Sequence, residues 1–152
     1  MESSILMLDE RTDKATKQML QKVVERKRKF DAFKFRHLTV LWLTVFLAFS
    51  YIYFLYKTIA IPYSYSFAAM FSAYVDNSLN LYAFVVIGGL FGLMNLLKQK
   101  KDKAEKEYHA LRCEIIDKSK DLWKPKDAWK NRHLVFEMMK KNYDINLYHE
   151  NK

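Results

Sequence analysis

The chain of 152 residues is poor in everything that turns or staples a backbone, with one cysteine, two prolines and three glycines. A single thiol, Cys113, excludes an internal disulfide, and with it the small oxidised scaffolds of secreted proteins. Scarce turn-makers imply few turns and therefore long elements. Charge is absent by block: between Leu38 and Leu97 only Lys57 and Asp76 are charged, while the flanks carry the rest of the 26 basic and 17 acidic residues. No GxxxxGK[ST] or GxGxxG occurs and no serine sits in a nucleophile-elbow context, so phosphate-cradling and acyl-transfer chemistry find no support. An enzyme is not expected, and no cofactor is implied.

What is present starts with Leu38 to Tyr56, LTVLWLTVFLAFSYIYFLY, bounded by Arg36 and His37 on one side and Lys57 on the other. At 1.5 Å per residue such a helix reaches about 28 Å, close to the hydrocarbon thickness of a bilayer. A buried helix of a soluble protein would have to be apolar on every face in a short chain. A second uncharged run, Leu79 to Leu97, LNLYAFVVIGGLFGLMNLL, holds all three glycines. Both runs read as transmembrane helices. The 37 residues preceding the first are too many and too mixed for the start of a cleaved signal. Basic residues precede the first span and Lys98, Lys100, Lys101 and Lys103 follow the second, so the positive-inside rule puts both termini in the cytoplasm.

Along the flanks the pattern is helical. Ala15, Met19, Val23, Arg26, Phe30, Phe33 and His37 recur every three or four residues, and no Gly or Pro interrupts Met1 to Ile61. One long helix is expected, with Asp9 or Thr12 as its N-cap, running into the first span. Glu10 to Lys14, Asp13 to Lys17 and Glu25 to Lys29 are acid-before-base pairs that support it. Pro62 ends it. Tyr51, Tyr53, Tyr56, Tyr63, Tyr65 and Tyr74 cluster around the connection as interfacial anchors, with Phe67 to Val75 as a short interfacial helix. Beyond the second span, Leu97, Lys101, Ala104, Tyr108, Leu111, Ile115, Lys118 and Leu122 form a heptad seam. It is expected to pack antiparallel on Met19, Val23 and Phe30. Trp123 and Pro125 break the seam, Pro125 as N1 and Asp127 in the first turn of a last helix to about Tyr143, with Trp129, Arg132, Phe136, Met139 and Tyr143 on one face.

The expected fold is therefore all-α: a membrane helical hairpin whose two transmembrane helices extend into a cytoplasmic antiparallel pair, plus one further helix. Its segments are 1–37 cytoplasmic helix, 38–56 first span, 57–78 external loop, 79–97 second span, 98–124 heptad helix and 125–152 last helix and tail.

Two sets of candidate site residues emerge. Arg26, Lys27, Arg28 and Lys29, with Lys34 and Arg36, lie just before a span, where each basic residue gains about 1 kcal/mol from anionic headgroups. Their simpler role is to set topology. Gly88 and Gly92 form a GxxxG that lets helices approach closely. Thr44 and Ala48 are a small pair at matching depth on the first span. The seam projected back through the second span arrives at Ile87, Leu90 and Met94, nearly opposite the glycines, which favours a homodimer over packing within the chain. Glu105, His109 and Cys113 share a helical face but cannot close a tetrahedron on one straight helix, so no metal is expected. Nucleic acid is not expected either, since the basic residues are interleaved with acids and the aromatics fall on apolar faces.

The opening MLDERTDKATKQML, the paired spans and the closing WKPKDAWKNRHLVFEMMKKNYDINLY together resemble the uncharacterised YpbF-type two-span proteins of low-GC Gram-positive bacteria. The resemblance implies a plasma-membrane protein of such a bacterium and carries over no catalytic or binding residue. The expected function is a non-catalytic membrane-anchored adaptor or accessory subunit, with an unidentified membrane protein as its partner. The alternative is a sensor of anionic lipid surfaces working through the basic helix.

Overall fold

The computed structural model describes residues 2–8, 12–124 and 126–148, with backbone alone for 126–128. Its elements are α1 (Ser3–Leu6), α2 (Lys14–Leu55), a π turn (Tyr56–Ala60), α3 (Phe67–Asp76), α4 (Ser78–Asp117), α5 (Ser119–Leu122) and α6 (Lys126–Tyr143). The fold is all-α, with no strand among the described residues. At 42 and 40 residues, α2 and α4 are about 60 Å long each.

Local chemistry accounts for the breaks. Pro62 has no N–H for the carbonyl one turn back, and its ring crowds that turn. The backbone widens ahead of it, Ile61 N–H reaching the Tyr56 carbonyl at 3.0 Å across five residues. Ser66, in extended conformation, caps α3 by accepting from Ala69 N–H at 3.5 Å. Asn77, also extended, opens α4 in the same way, its Oδ1 accepting from Leu79 N–H at 3.1 Å.

Contacts divide the chain into two compact units, 1–32 with 101–152, and 33–100. In the first, α2 and α4 run antiparallel: Thr16 Oγ1 donates to the Leu122 carbonyl at 3.4 Å, Arg26 is ion-paired with Glu107, and Phe30 stacks on Tyr108 with centroids 6.2 Å apart. Val23, Tyr108 and Ile115 are buried, with Met19, Phe30 and Leu111 packed against them, as the heptad reading requires. The α2 face is rotated from the expected one, however. Ala15 and Arg26 are exposed, while Thr16, Leu20, Val23 and Val24 are buried, Leu20 and Val24 belonging to the same hydrophobic cluster as Val135, Phe136 and Met139 of α6. The seam also stops early. Lys118 is exposed and α4 ends at Asp117, so that the turn into α5 can swing Trp123 into the core, where it meets Phe136 edge-on at 5.6 Å. From α6, Phe136 and Met139 are buried as expected, together with Val135.

Both ends of the chain add core that its periodicity does not announce. At the start, α1 inserts Ile5, fully buried, and is held by Glu2 N–H to Gln21 Oε1 at 3.0 Å and Tyr143 OH to Ser4 Oγ at 3.3 Å. α2 accordingly begins at Lys14, past Thr12, and is not continuous with the start of the chain. At the far end, Asp144 takes a left-handed conformation (φ 55°) that reverses the backbone after α6, its N–H closing on the Lys140 carbonyl at 3.0 Å. Ile145 and Leu147 then fold back into the core. Asp9, Glu10 and Pro125, and the side chain of Asp127, lie outside the described residues.

Candidate membrane surface and its charged margins

The second unit is built in the opposite sense from the first. Its only two buried residues are polar, Thr44 and Asn80. In the apolar windows of α2 and α4 only 6% of residues are buried. Phe46 and Phe49 are about 70% exposed, and Trp42, Tyr82, Phe84 and Val85 are comparably open. A core helix of a soluble protein buries such a surface, since each large apolar side chain gains about 1.5–3 kcal/mol on leaving water.

The inward faces are narrow and regular. On α4 the less exposed positions are Asn80, Ala83, Ile87, Leu90, Met94 and Leu97, alternating spacings of three and four. On α2 they include Val40, Thr44, Ala48 and Tyr51, and Tyr51 OH reaches the Asn80 carbonyl at 3.1 Å. Thr44 turns its hydroxyl back to the Val40 carbonyl at 2.7 Å, as a buried hydroxyl on an apolar helix does. Gly88 and Gly92 are not on the Asn80 face. Both are exposed, and a Cβ placed on either meets nothing within 4 Å. The structure therefore brings Thr44 and Ala48 to the helix pair and leaves the GxxxG stripe open.

The basic residues divide by unit. In the first, Arg26 pairs with Glu107, and Arg28 with Glu2 at 2.7 Å. Lys27 lies 3.1 Å from Asp31, 3.8 Å from Asp144 and over the rings of Phe30 and Tyr108. The hydrogen bond to Glu2, and the charge behind it, holds the Arg28 guanidinium above its ordinary pKa. Lys29 is exposed and lines a cavity with Glu25 and Glu107. In the second unit Lys34 and Arg36 are exposed. Beside Lys27, Tyr108 is raised above its ordinary pKa by burial, against the opposing pull of Lys27 and Arg112. His109 Nε2 stands 3.9 Å from Glu105, and Cys113 is a partly buried free thiol.

At the end of the second unit that carries the π turn, two of the six tyrosines do a different task from interfacial anchoring. Tyr51 and Tyr74 point inward, their hydroxyls 3.4 Å apart, and Asn80 Nδ2 donates to the Tyr74 carbonyl at 3.1 Å. The amide orientation is thereby set, and it leaves Asn80 Oδ1 a buried acceptor with no partner. Such a group costs about 1–3 kcal/mol. Periodicity could not single out Asn80: an asparagine near a helix start reads as a cap.

The model of a family described as "Protein of unknown function (DUF2663)" matches residues 19–150. The chain belongs to this family. It is also 37% identical over 153 residues, spanning 100% of both chains, to "Uncharacterized protein YpbF" of Bacillus subtilis (strain 168). No solved structure matches. The match to the family takes in most of α2 and all of α3, α4, α5 and α6, so it draws on both units.

Proposed function

We propose that the protein is a two-span membrane protein of a bacterial plasma membrane, with both termini cytoplasmic, acting as a non-catalytic adaptor or accessory subunit. The observation that carries the reading is the inverted second unit, with polar residues inside and large apolar side chains outside. In a bilayer that arrangement is the favourable one, because lipid tails take the place of a core and the few polar groups are kept between the helices. Charge distribution supports the orientation, since Arg26 to Arg36 and Lys98 to Lys103 flank the apolar segments on one side while Asp76 lies in the connection. The first unit, with its own packed core, is the part able to dock a partner.

A lipid-surface sensor is less well supported, because Arg26, Lys27 and Arg28 are already paired within the chain. A homodimer through the open Gly88 and Gly92 stripe is compatible with either role. The test is capture of the tagged full-length chain from native membranes in mild detergent. A membrane protein recovered in stoichiometric amount supports the adaptor. Recovery of the chain alone, with salt-sensitive binding of residues 1–36 to acidic vesicles, would favour the sensor.

A further inference from the structure

Two cavities meet beside α3, sharing Ile59 as a wall. One is polar, about 430 Å³, lined by Thr58, Tyr63, Asp76, Asn77, Ser78 and Asn80 among others. The other is apolar, about 290 Å³, lined by Ile52, Leu55, Tyr56 and Met70 with the ring of Tyr74. We propose that this pair is a binding site for a lipid with a primary ammonium headgroup, the headgroup in the polar cavity and an acyl chain in the apolar one. The proposal rests on the membrane reading of this unit.

The polar cavity joins one negative charge to a surplus of acceptors, beside the Tyr63 and Ser78 hydroxyls, which can donate or accept. Asp76 is the single acidic residue between 33 and 100. It accepts from Ser72 Oγ at 3.2 Å and has no cationic partner. Asn80 donates from Nδ2 to the Tyr74 carbonyl and its main-chain carbonyl accepts from the Tyr51 hydroxyl, leaving Oδ1 unmatched in a side chain 1% exposed. The Thr58 hydroxyl spends its hydrogen on the Phe54 carbonyl at 2.8 Å. A ligand that completes this set brings hydrogens and one positive charge. An ammonium offers three N–H donors. A trimethylammonium offers none, and an anionic headgroup would meet the Asp76 carboxylate. One carboxylate among neutral oxygens is also too little charge for calcium, which takes six to eight oxygen ligands, several of them carboxylates.

The apolar neighbour decides between a lipid and a free amine. While Met70 and Tyr74 of α3 line it, the same helix turns Phe67, Phe71 and Val75 outward at 80%, 63% and 46% exposure, one turn apart. Two walls of the cavity itself, Ile52 and Tyr56, are also exposed apolar residues of α2 and the π turn, so on the membrane reading the cavity opens where acyl chains would lie.

The full-length protein in detergent is offered ethanolamine-, choline- and glycerol-headed phospholipids with identical acyl chains, and bound lipid is read by native mass spectrometry. The ethanolamine lipid should be retained about tenfold over the others, a difference the size of one charge-assisted hydrogen bond. Asp76→Asn, which keeps the shape of an exposed side chain, should erase that preference, and Asp76→Glu should keep part of it. Equal retention of all three lipids by the wild type, or an unchanged preference in Asp76→Asn, overturns the proposal. So does free ethanolamine competing as effectively as the lipid, which would assign the cavity to a soluble amine. Release of the wild-type chain from membranes by alkaline carbonate would instead sink the membrane reading itself, separately from the lipid measurement.

Discussion

The two units share their long helices and solve opposite problems with them. The first buries Ile5, Leu20, Ile115, Trp123 and Met139 and leaves ion pairs outside. The second buries Thr44 and Asn80 and leaves phenylalanines outside. The helical backbone is indifferent to the choice, because its hydrogen bonds are satisfied within the element in water and in lipid alike. What differs is which side chains are turned outward, and one helix carries both arrangements along its length.

The contrast can be broken most forcibly in the first unit. Trp123→Ala should remove about 3–5 kcal/mol of stability, as truncation of a buried aromatic does, and be seen as loss of a cooperative transition in near-ultraviolet circular dichroism of the detergent-solubilised protein. The matching change in the second unit, Phe46→Ala, should shift that transition by under about 0.5 kcal/mol. An equal effect at the two sites would mean that the units are not inverted.

Phe46→Arg reverses the test. If the exposed face meets lipid, a charge near mid-span should cost about 2.5–3.5 kcal/mol on membrane insertion, measured as a drop in the carbonate-resistant fraction. Normal insertion would place that face against water or protein. Ile5→Ala should follow at about 2–4 kcal/mol if the α1 anchor belongs to the core, with cleavage by protease at the start of the chain as its readout.

A smaller effect concerns pH. Burial raises the Tyr108 pKa, so the folded state holds that proton more tightly than the unfolded chain. Tyr108 then contributes stability below its ordinary pKa that is lost as pH rises through the folded value, above about 10. Thermal scans from pH 9 to 11 should show this loss in the wild type and a shallower slope in Tyr108→Phe. Identical slopes would refute the buried assignment. The smallest change is expected at the surface: Arg28→Ala breaks the pair with Glu2 and should cost no more than a salt-screened loosening of α1, visible as faster amide exchange at Ile5 in low salt.

Most of the architecture was legible in the chain because long apolar runs, heptad spacing and missing prolines act locally. That Leu38 to Tyr56 and Leu79 to Leu97 lie in long apolar helices needed only length and absence of charge, and Phe136, Met139 and Ile115 needed only periodicity. The α2 face was misjudged by about one residue, toward Ala15 and Arg26, since two neighbouring stripes are similarly apolar and only packing into the common core selects between them. Ile5, Ile145 and Leu147 escaped notice for a related reason: each stands outside the periodic face, and the last two follow the left-handed Asp144 into the core.

The candidate site divides in the same way. Sequence alone determined that the chain is helical, that its charge is segregated by block and that Asp76 is the lone acid of the apolar half, because composition and spacing are properties of the unfolded chain. Tertiary structure decided that the Gly88 and Gly92 stripe is open, that Arg26, Lys27 and Arg28 have partners, and that Asn80 is left with a spare acceptor beside Asp76. Those outcomes depend on the rotation of one helix against another, and a turn of 100° per residue makes that rotation sensitive to a single contact.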